Sequence, residues 1–202
     1  MAIAINGTGT ITGISVGGLN DSIITSAELA NGAVTAAKID SLPAGSVLQV
    51  KQTVKTDSTS TTNQDSFTDT TGMSVAITPA STSNKVLVSV SIGRVNNSST
   101  SIRLAAFRLM RDSTPIGVGS TAGSRLAATF LITDATDSNY GQNGCYQFLD
   151  SPSTTSEVTY KLQWTGQNGE TVYLNRSTND TDSSDAIHSR TASTITVMEV
   201  AG

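Results

Sequence analysis

The chain has 202 residues and a net charge of −4, and only 14% of its residues are charged. Binding to a nucleic-acid backbone needs clustered Lys and Arg, whereas the 12 basic residues here are scattered. No stretch approaches the roughly 18 consecutive apolar residues of a membrane-spanning helix. The sequence therefore argues against nucleic acid and against membrane insertion.

Composition favours β-structure. Ser and Thr together account for 59 residues and Gly for 17, while aromatic residues are only 4%. Thr favours strands, whereas Ser and Gly favour turns, and a hydrophobic content of 37% opposes disorder. The single Cys145 can form no intrachain disulfide, and its place at a predicted strand start favours a small buried hydrophobe.

The N-terminal segment, residues 1–42, differs from the rest of the chain. It contains isolated aliphatic side chains between glycines: Ile3, Ile5, Ile11, Ile14, Val16 and Leu19. Glycine weakens a strand but permits close approach of another backbone. One such segment cannot bury its aliphatic residues alone, so we expect it to wind together with copies of itself or to lie against a larger partner. A flexible leader is the alternative interpretation.

A ten-residue near-repeat follows, DSIITSAELA at 21–30 and NGAVTAAKID at 31–40. Thr25 and Glu28 have the spacing of a capping box, which predicts short helical turns. Pro43 and Gly45 then mark a hinge, beyond which the hydrophobic period changes to two. These features predict an extended segment over residues 1–42 and a separate β-domain over residues 43–202.

The second region alternates as half-buried strands do. Leu48, Val50 and Val54 are predicted to form one buried face of the first strand. The clearest later strands are 86–92 and 158–165, with Trp164 packed in the core, and residues 102–110 are apolar on both faces, as in a central strand or one at a subunit interface. Shorter strands are predicted at 73–78, 126–133, 146–149, 171–175 and 194–200. Eight to ten strands at this spacing predict an all-β fold, an antiparallel β-sandwich or jelly roll.

Catalytic and metal-binding patterns are weak. His188 is the only histidine and has no nucleophile signature around it, so no catalytic residue is assigned. The acidic residues between Asp180 and Asp185 are the best candidate for a cation site, although a solvated loop is the favoured interpretation. We expect neither a metal nor a cofactor. A polysaccharide depolymerase would need two carboxylates, drawn from Glu157, Glu170, Glu199 or aspartates.

Binding specificity is predicted in the two longest polar connections of the second half, residues 133–144 and 175–192, because loops carry function where strands are fixed by packing. Tyr140 is an aromatic residue in the first of these loops and is a plausible contact for a sugar, although a turn residue packed on the edge of the sandwich is the favoured interpretation. The candidate receptor contacts are Asn139, Tyr140, Asn179, Asp180 and His188.

Several stretches carry a family resemblance: ITGISVGGL at 11–19, AVTAAKI at 33–39, FRLMRD at 107–112, YQFLDSP at 146–152 and STITVMEV at 193–200. With these motifs the chain resembles tail-fibre-like virion structural proteins of bacteriophages, especially those of marine bacteria and cyanobacteria. The resemblance implies a virion protein, assembled in the bacterial host cytoplasm as an intertwined homotrimer. It further implies anchoring to other virion proteins through the N-terminal aliphatic residues, with the C-terminal domain pointing outward for host contact or decoration of the particle. A lectin-like domain that binds a host cell-surface glycan is the alternative, followed by a depolymerase.

Overall fold

The computed structural model describes residues 42–98, 104–133, 140–167 and 169–202. By their contacts the residues fall into two units, Met1–Leu42 and Pro43–Gly202. The described residues are Leu42 and, apart from the gaps in these ranges, the second unit. The predicted helical turns, the intertwining and the N-terminal aliphatic residues lie outside the described residues.

The described residues form eleven strands and one turn of 3-10 helix, Ala186–His188. The strands are β1 (Val47–Lys55), β2 (Thr59–Thr61), β3 (Thr68–Ile77), β4 (Lys85–Asn97), β5 (Leu104–Arg111), β6 (Thr114–Ile116), β7 (Phe130–Thr133), β8 (Gln142–Asp150), β9 (Val158–Thr165), β10 (Val172–Leu174) and β11 (Ser193–Val200). Every pair of these strands is antiparallel.

Sheet 1 is built around the long strand β4. Val88 of β4 pairs with Phe148 of β8 on one side and with Val197 of β11 on the other, and β1 follows beyond β11. Nearer the C-terminal end of β4, Val95 pairs with Leu174 of β10, and β2 follows beyond β10. Strands β10 and β11 therefore occupy successive stretches of one position alongside β4.

Sheet 2 has the order β3, β9, β5, with β6 and β7 both on the far side of β5. Strand β5 is thus central, in agreement with its apolar character on both faces. Ala106 and Met110, which alternate with the core-facing residues of β5, are buried as well. Of the predicted segment 102–110, the first two residues lie outside the described residues.

The core lies between the two sheets because alternate residues of each strand point inward. Sheet 1 contributes Val86, Val88, Val90 and Ile92, each no more than 1% exposed. From sheet 2, the ring of Phe107 lies 5.0 Å from that of Phe130 and 6.4 Å from that of Trp164. Trp164 is 2% exposed, which confirms its predicted place in the core. The all-β, antiparallel two-sheet prediction is likewise confirmed.

Buried polar groups link the two sheets. Asp150 of β8 accepts a hydrogen bond from the Tyr160 hydroxyl at 2.7 Å and two from Nη1 of Arg111, at 2.9 and 3.0 Å. Burial, together with the neighbouring Asp150, raises the pKa of Tyr160 far above its ordinary value, so this hydroxyl stays protonated and donates.

Glu199 of β11 is a fully buried carboxylate. It accepts hydrogen bonds from Nε2 of Gln49 at 2.5 Å, the backbone N–H of Ala80 at 2.6 Å and Nδ2 of Asn84 at 2.6 Å. Burial by itself raises the pKa of Glu199, but these three hydrogen bonds outweigh burial and lower it. Through these hydrogen bonds the Glu199 carboxylate joins β11 to β1 and to the connection between β3 and β4.

Two predictions of burial were wrong. Leu48, Val50 and Val54 are 37%, 52% and 51% exposed, because the register of β1 on β11 directs the alternate residues, including Thr53 and Lys55, towards the core side. Cys145 is exposed instead of buried, because it lies beside Ser91 on the outer face of sheet 1.

Candidate functional site

The two ends of sheet 1 differ: the chain enters the sheet at one end, and loops lie at the other. At the base end, Val47, Val200 and Lys85 lie side by side, and the chain enters β1 there. At the opposite, loop end, Lys55 lies beside Ser193. The loop 175–192 and the described residues 140–144 of the other predicted binding loop belong to the loop end, where Gly141 lies close to Arg94 and Asn96.

The loop 175–192 interrupts a strand position. Strand β10 pairs with β4 up to Val95, and the Asn175 N–H still donates to the Arg94 carbonyl at 2.9 Å. The chain then leaves the sheet and returns with Thr194 beside Ser91. Its two stems are joined by the Thr191 N–H, which donates to the Asn175 carbonyl at 3.1 Å. The loop is therefore held at its base by the sheet itself.

The side chain of Asn175 holds the base of this loop through hydrogen bonds. Its φ of 65° lies in the left-handed region, which Asn tolerates better than most residues, and it is completely buried. Its Nδ2 donates to the carbonyls of Lys55 at 2.9 Å and Asp57 at 3.1 Å, between β1 and β2. Its Oδ1 accepts from the Ser193 hydroxyl at 2.6 Å. One side chain thus joins the bend between β1 and β2 to both stems of the loop.

Arg94 supports the far part of the same loop. It is a buried residue of β4, and its Nη1 donates to the carbonyls of Ile187 at 2.7 Å and Ser189 at 3.2 Å. Its Nε donates to Oδ1 of Asn96 at 2.7 Å. Beside it, Gly93 lets the returning chain come close, since a Cβ there would lie 2.2 Å from the Ala192 carbonyl oxygen.

Tyr140 lies at this end, 59% exposed, as expected for a contact residue in a loop. It borders a shallow depression of about 400 Å³. The lining combines both predicted loops with the end of β4: Gly93, Arg94, Tyr140, Gly141, Asn143, Ala186, Ile187 and Thr191. The structure therefore brings Tyr140 to the loop 175–192. The neighbouring candidate, Asn139, lies outside the described residues.

Asp180 is engaged by arginines. Its carboxylate accepts hydrogen bonds from Arg190 at 2.6 and 3.1 Å and lies 3.4 Å from Nη1 of Arg176. The hydrogen bonds from Arg190 hold the pKa of the Asp180 carboxyl below its usual value. The described residues contain no group of three or more His, Cys, Asp or Glu side chains that could hold a metal ion.

His188 and Asn179 lie in the same loop. His188 is partly exposed at the end of the 3-10 turn, and its Nδ1 is buried without a hydrogen-bond partner among the described residues. It borders a second depression of about 360 Å³ together with Asp180, Asp182 and Arg190. Asn179, next to Asp180, is exposed. Four of the five candidate contacts therefore belong to the loop end: Tyr140 borders one depression, Asp180 and His188 border the other, and Asn179 lies next to Asp180.

The three glutamates considered for sugar cleavage lie beside different strands. Glu199 is buried and hydrogen-bonded in the core, Glu170 accepts a hydrogen bond from Ser98 at 2.8 Å, and Glu157 is exposed just before β9.

No helix in the described ranges has the length and apolarity that a membrane crossing takes.

Sequence reasoning missed Asn175 and Arg94 as functional residues, since both act by positioning loops. A signal for the second was present: Gly93 and Arg94 end the alternation of aliphatic residues from Val86 to Ile92, and glycine inside a strand marks close approach of another backbone. For Asn175 the sequence shows only an asparagine at the end of a predicted strand. This feature is too common to indicate a residue that anchors a loop.

No family model and no curated protein matches the chain. Among solved structures, it is similar to the infectious bursal disease virus VP2 subviral particle, at a TM-score of 0.32 and 13% sequence identity. That match covers 76% of this chain and 38% of the VP2 chain. A similarity at this level carries no argument about function.

Proposed function

We propose that the chain is a structural subunit of a bacteriophage fibre or spike, attached through residues 1–42 and presenting the domain 43–202 outward. One observation carries the proposal: the chain enters the domain at the base end of sheet 1, while the loops around Tyr140 and Arg94 lie at the loop end. From Lys85 to Gly93 the sheet separates these ends by roughly 26 Å, at about 3.3 Å per residue. Such polarity suits a domain that is held at one end and makes contacts at the other.

The rigid construction of the loop end supports the same role. A loop held at its base by Asn175 and in its returning half, at Ile187 and Ser189, by Arg94 is well supported, so binding costs little ordering entropy. The sequence resemblance to tail-fibre-like proteins supports attachment through the aliphatic N-terminal segment and assembly as a homotrimer.

Two measurements test this proposal. Light scattering should give about three times the 20.8 kDa chain mass, and a monomer at micromolar concentration would refute the trimer. Removal of residues 1–42 should leave a folded β-domain by circular dichroism but abolish incorporation into the particle. Normal incorporation of the truncated chain would show that attachment lies elsewhere.

A second candidate function is recognition of a host glycan. It is favoured by the exposed Tyr140 ring beside a shallow depression that Arg94 and Asn143 also line, because an aromatic platform flanked by planar polar groups suits a sugar. Tyr140→Ala should then weaken adsorption to host cells without changing folding or assembly.

The matched control is Leu131→Ala, since Leu131 is also 59% exposed but lies in β7 of sheet 2. Equal adsorption by wild type and both variants would leave the architectural role as the sole proposal. A glycan array would identify the sugar if only the Tyr140 variant loses adsorption.

A further inference from the structure

The outward face of sheet 1 carries an apolar row across its four main strands. In register, Val50 of β1 lies beside Met198 of β11, then Leu87 of β4, then Leu149 of β8. Val50 is 52% and Leu149 48% exposed, and Met198 and Leu87 are partly exposed between them. Exposed apolar side chains scattered singly are ordinary, but a continuous row across a sheet marks an interaction surface.

The surface around this row carries little charge. The next row on the same face is Gln52, Thr196, Ser89 and Gln147, and the one after it is Val54, Thr194, Ser91 and Cys145. Towards the base end, Val200 lies beside Lys85, which is the one charged residue of these described rows. We call these rows, from Val200 and Lys85 to Val54 and Cys145, the outer face.

Sheet 2 presents the opposite character. On its outward side Arg108 donates to Oε1 of Gln163 at 2.6 and 3.1 Å, and Gln163 and Lys161 both donate to Asp69 at 2.7 Å. These charges are already satisfied within the chain, so covering them would cost desolvation for little gain. The charged network of sheet 2 is therefore suited to water, whereas the apolar row of sheet 1 is suited to another apolar surface.

We propose that the outer face of sheet 1 is the surface of self-assembly, where it packs against the outer faces of the other two copies around the threefold axis. This inference rests on the self-assembly in the proposed function and names its surface. A face with a continuous apolar row and one charged residue, Lys85, is complementary to a copy of itself, whereas a highly charged partner would leave its own charges unpaired.

The outer face is large enough for a specific interface between copies. Four strands about 4.8 Å apart and eight residues long give a face of roughly 19 by 26 Å, so each copy buries about 500 Å² against its two neighbours, or about 1,000 Å² counting both sides. Specific interfaces begin at about this size.

Cys145 provides a natural probe, because it is the only cysteine of the chain and lies exposed on this face. In the assembled wild type, 5,5′-dithiobis(2-nitrobenzoate) should react with Cys145 at least tenfold more slowly than with a free thiol. Val50→Asp and Leu149→Asp place charges on half-exposed positions, where a single copy tolerates them. Both should dissociate the assembly by light scattering and bring the Cys145 rate to that of a free thiol.

The control is Leu131→Asp, which adds the same charge at a 59% exposed position of sheet 2 and should change neither measurement. An assembly in which Cys145 reacts fast, or which survives both Asp variants, would overturn the inference while leaving self-assembly intact. A monomer with Cys145 protected would overturn it by showing that another part of the same chain covers the face. A monomer with a freely reacting Cys145 would overturn both the inference and the proposed self-assembly.

Discussion

The contribution of Asn175 to stability can be worked out from its contacts. Substitution by Ala removes two hydrogen bonds from Nδ2 to the carbonyls of Lys55 and Asp57 and one accepted from Ser193. Each contributes about 1 kcal/mol net, so roughly 3 kcal/mol is lost. Alanine at a φ of 65° adds about 1–2 kcal/mol of backbone strain. We therefore expect Asn175→Ala to lower the free energy of unfolding by about 4–5 kcal/mol.

Asn175→Gly separates the two contributions. Glycine adopts the left-handed backbone without strain, so this variant should lose only the hydrogen bonds, roughly 3 kcal/mol. The assay is urea unfolding followed by circular dichroism, at equal protein concentration because assembly adds to apparent stability. With a slope of about 2 kcal/mol per M, the urea midpoint of the Ala variant should fall by about 2 M.

A second readout reports on the loop alone. Once its base is released, the loop 175–192 should be cut by trypsin at Arg176 and Arg190 much faster than in the wild type. A loss below about 1 kcal/mol in Asn175→Ala, with unchanged cleavage, would refute the reasoning that this side chain fastens the loop.

Three further predictions follow from the core and from sheet 1. Trp164→Ala should lower the unfolding free energy by about 3–5 kcal/mol in urea titrations, because the ring is 2% exposed; a loss under 1 kcal/mol would contradict its place in the core. The pKa of the Glu199 carboxyl is lower in the folded protein than its unfolded value of 4.5. The ionised carboxyl therefore contributes to the free energy of unfolding above that pH, and this contribution is lost as the pH falls through the lowered pKa. Glu199→Gln should be less stable at pH 7 and lose less stability between pH 5 and 3, and an equal loss in both proteins would contradict this. Gly93→Ala should cost about 1–3 kcal/mol and speed tryptic cleavage at Arg190, because the added Cβ would collide with the Ala192 carbonyl; unchanged cleavage would show that the two chains can separate freely.

Much of the fold was predictable because strand periodicity is a local property. The alternation of Val158, Tyr160, Leu162 and Trp164 can be recognised within seven consecutive residues, and these side chains are all buried in β9. The same holds for residues 86–92 of β4.

The sequence alone determined that the second region forms an antiparallel sandwich and which strands are its strongest. Only the tertiary structure decided which side of β1 faces the core, because the choice depends on pairing with β11, far away along the chain. The same register placed Val50, Met198, Leu87 and Leu149 in one exposed row. The role of Asn175 arises from a carbonyl 120 residues away, that of Lys55. Local patterns fix the period of a strand, whereas burial and hydrogen-bond partners follow from contacts that form only when distant segments meet.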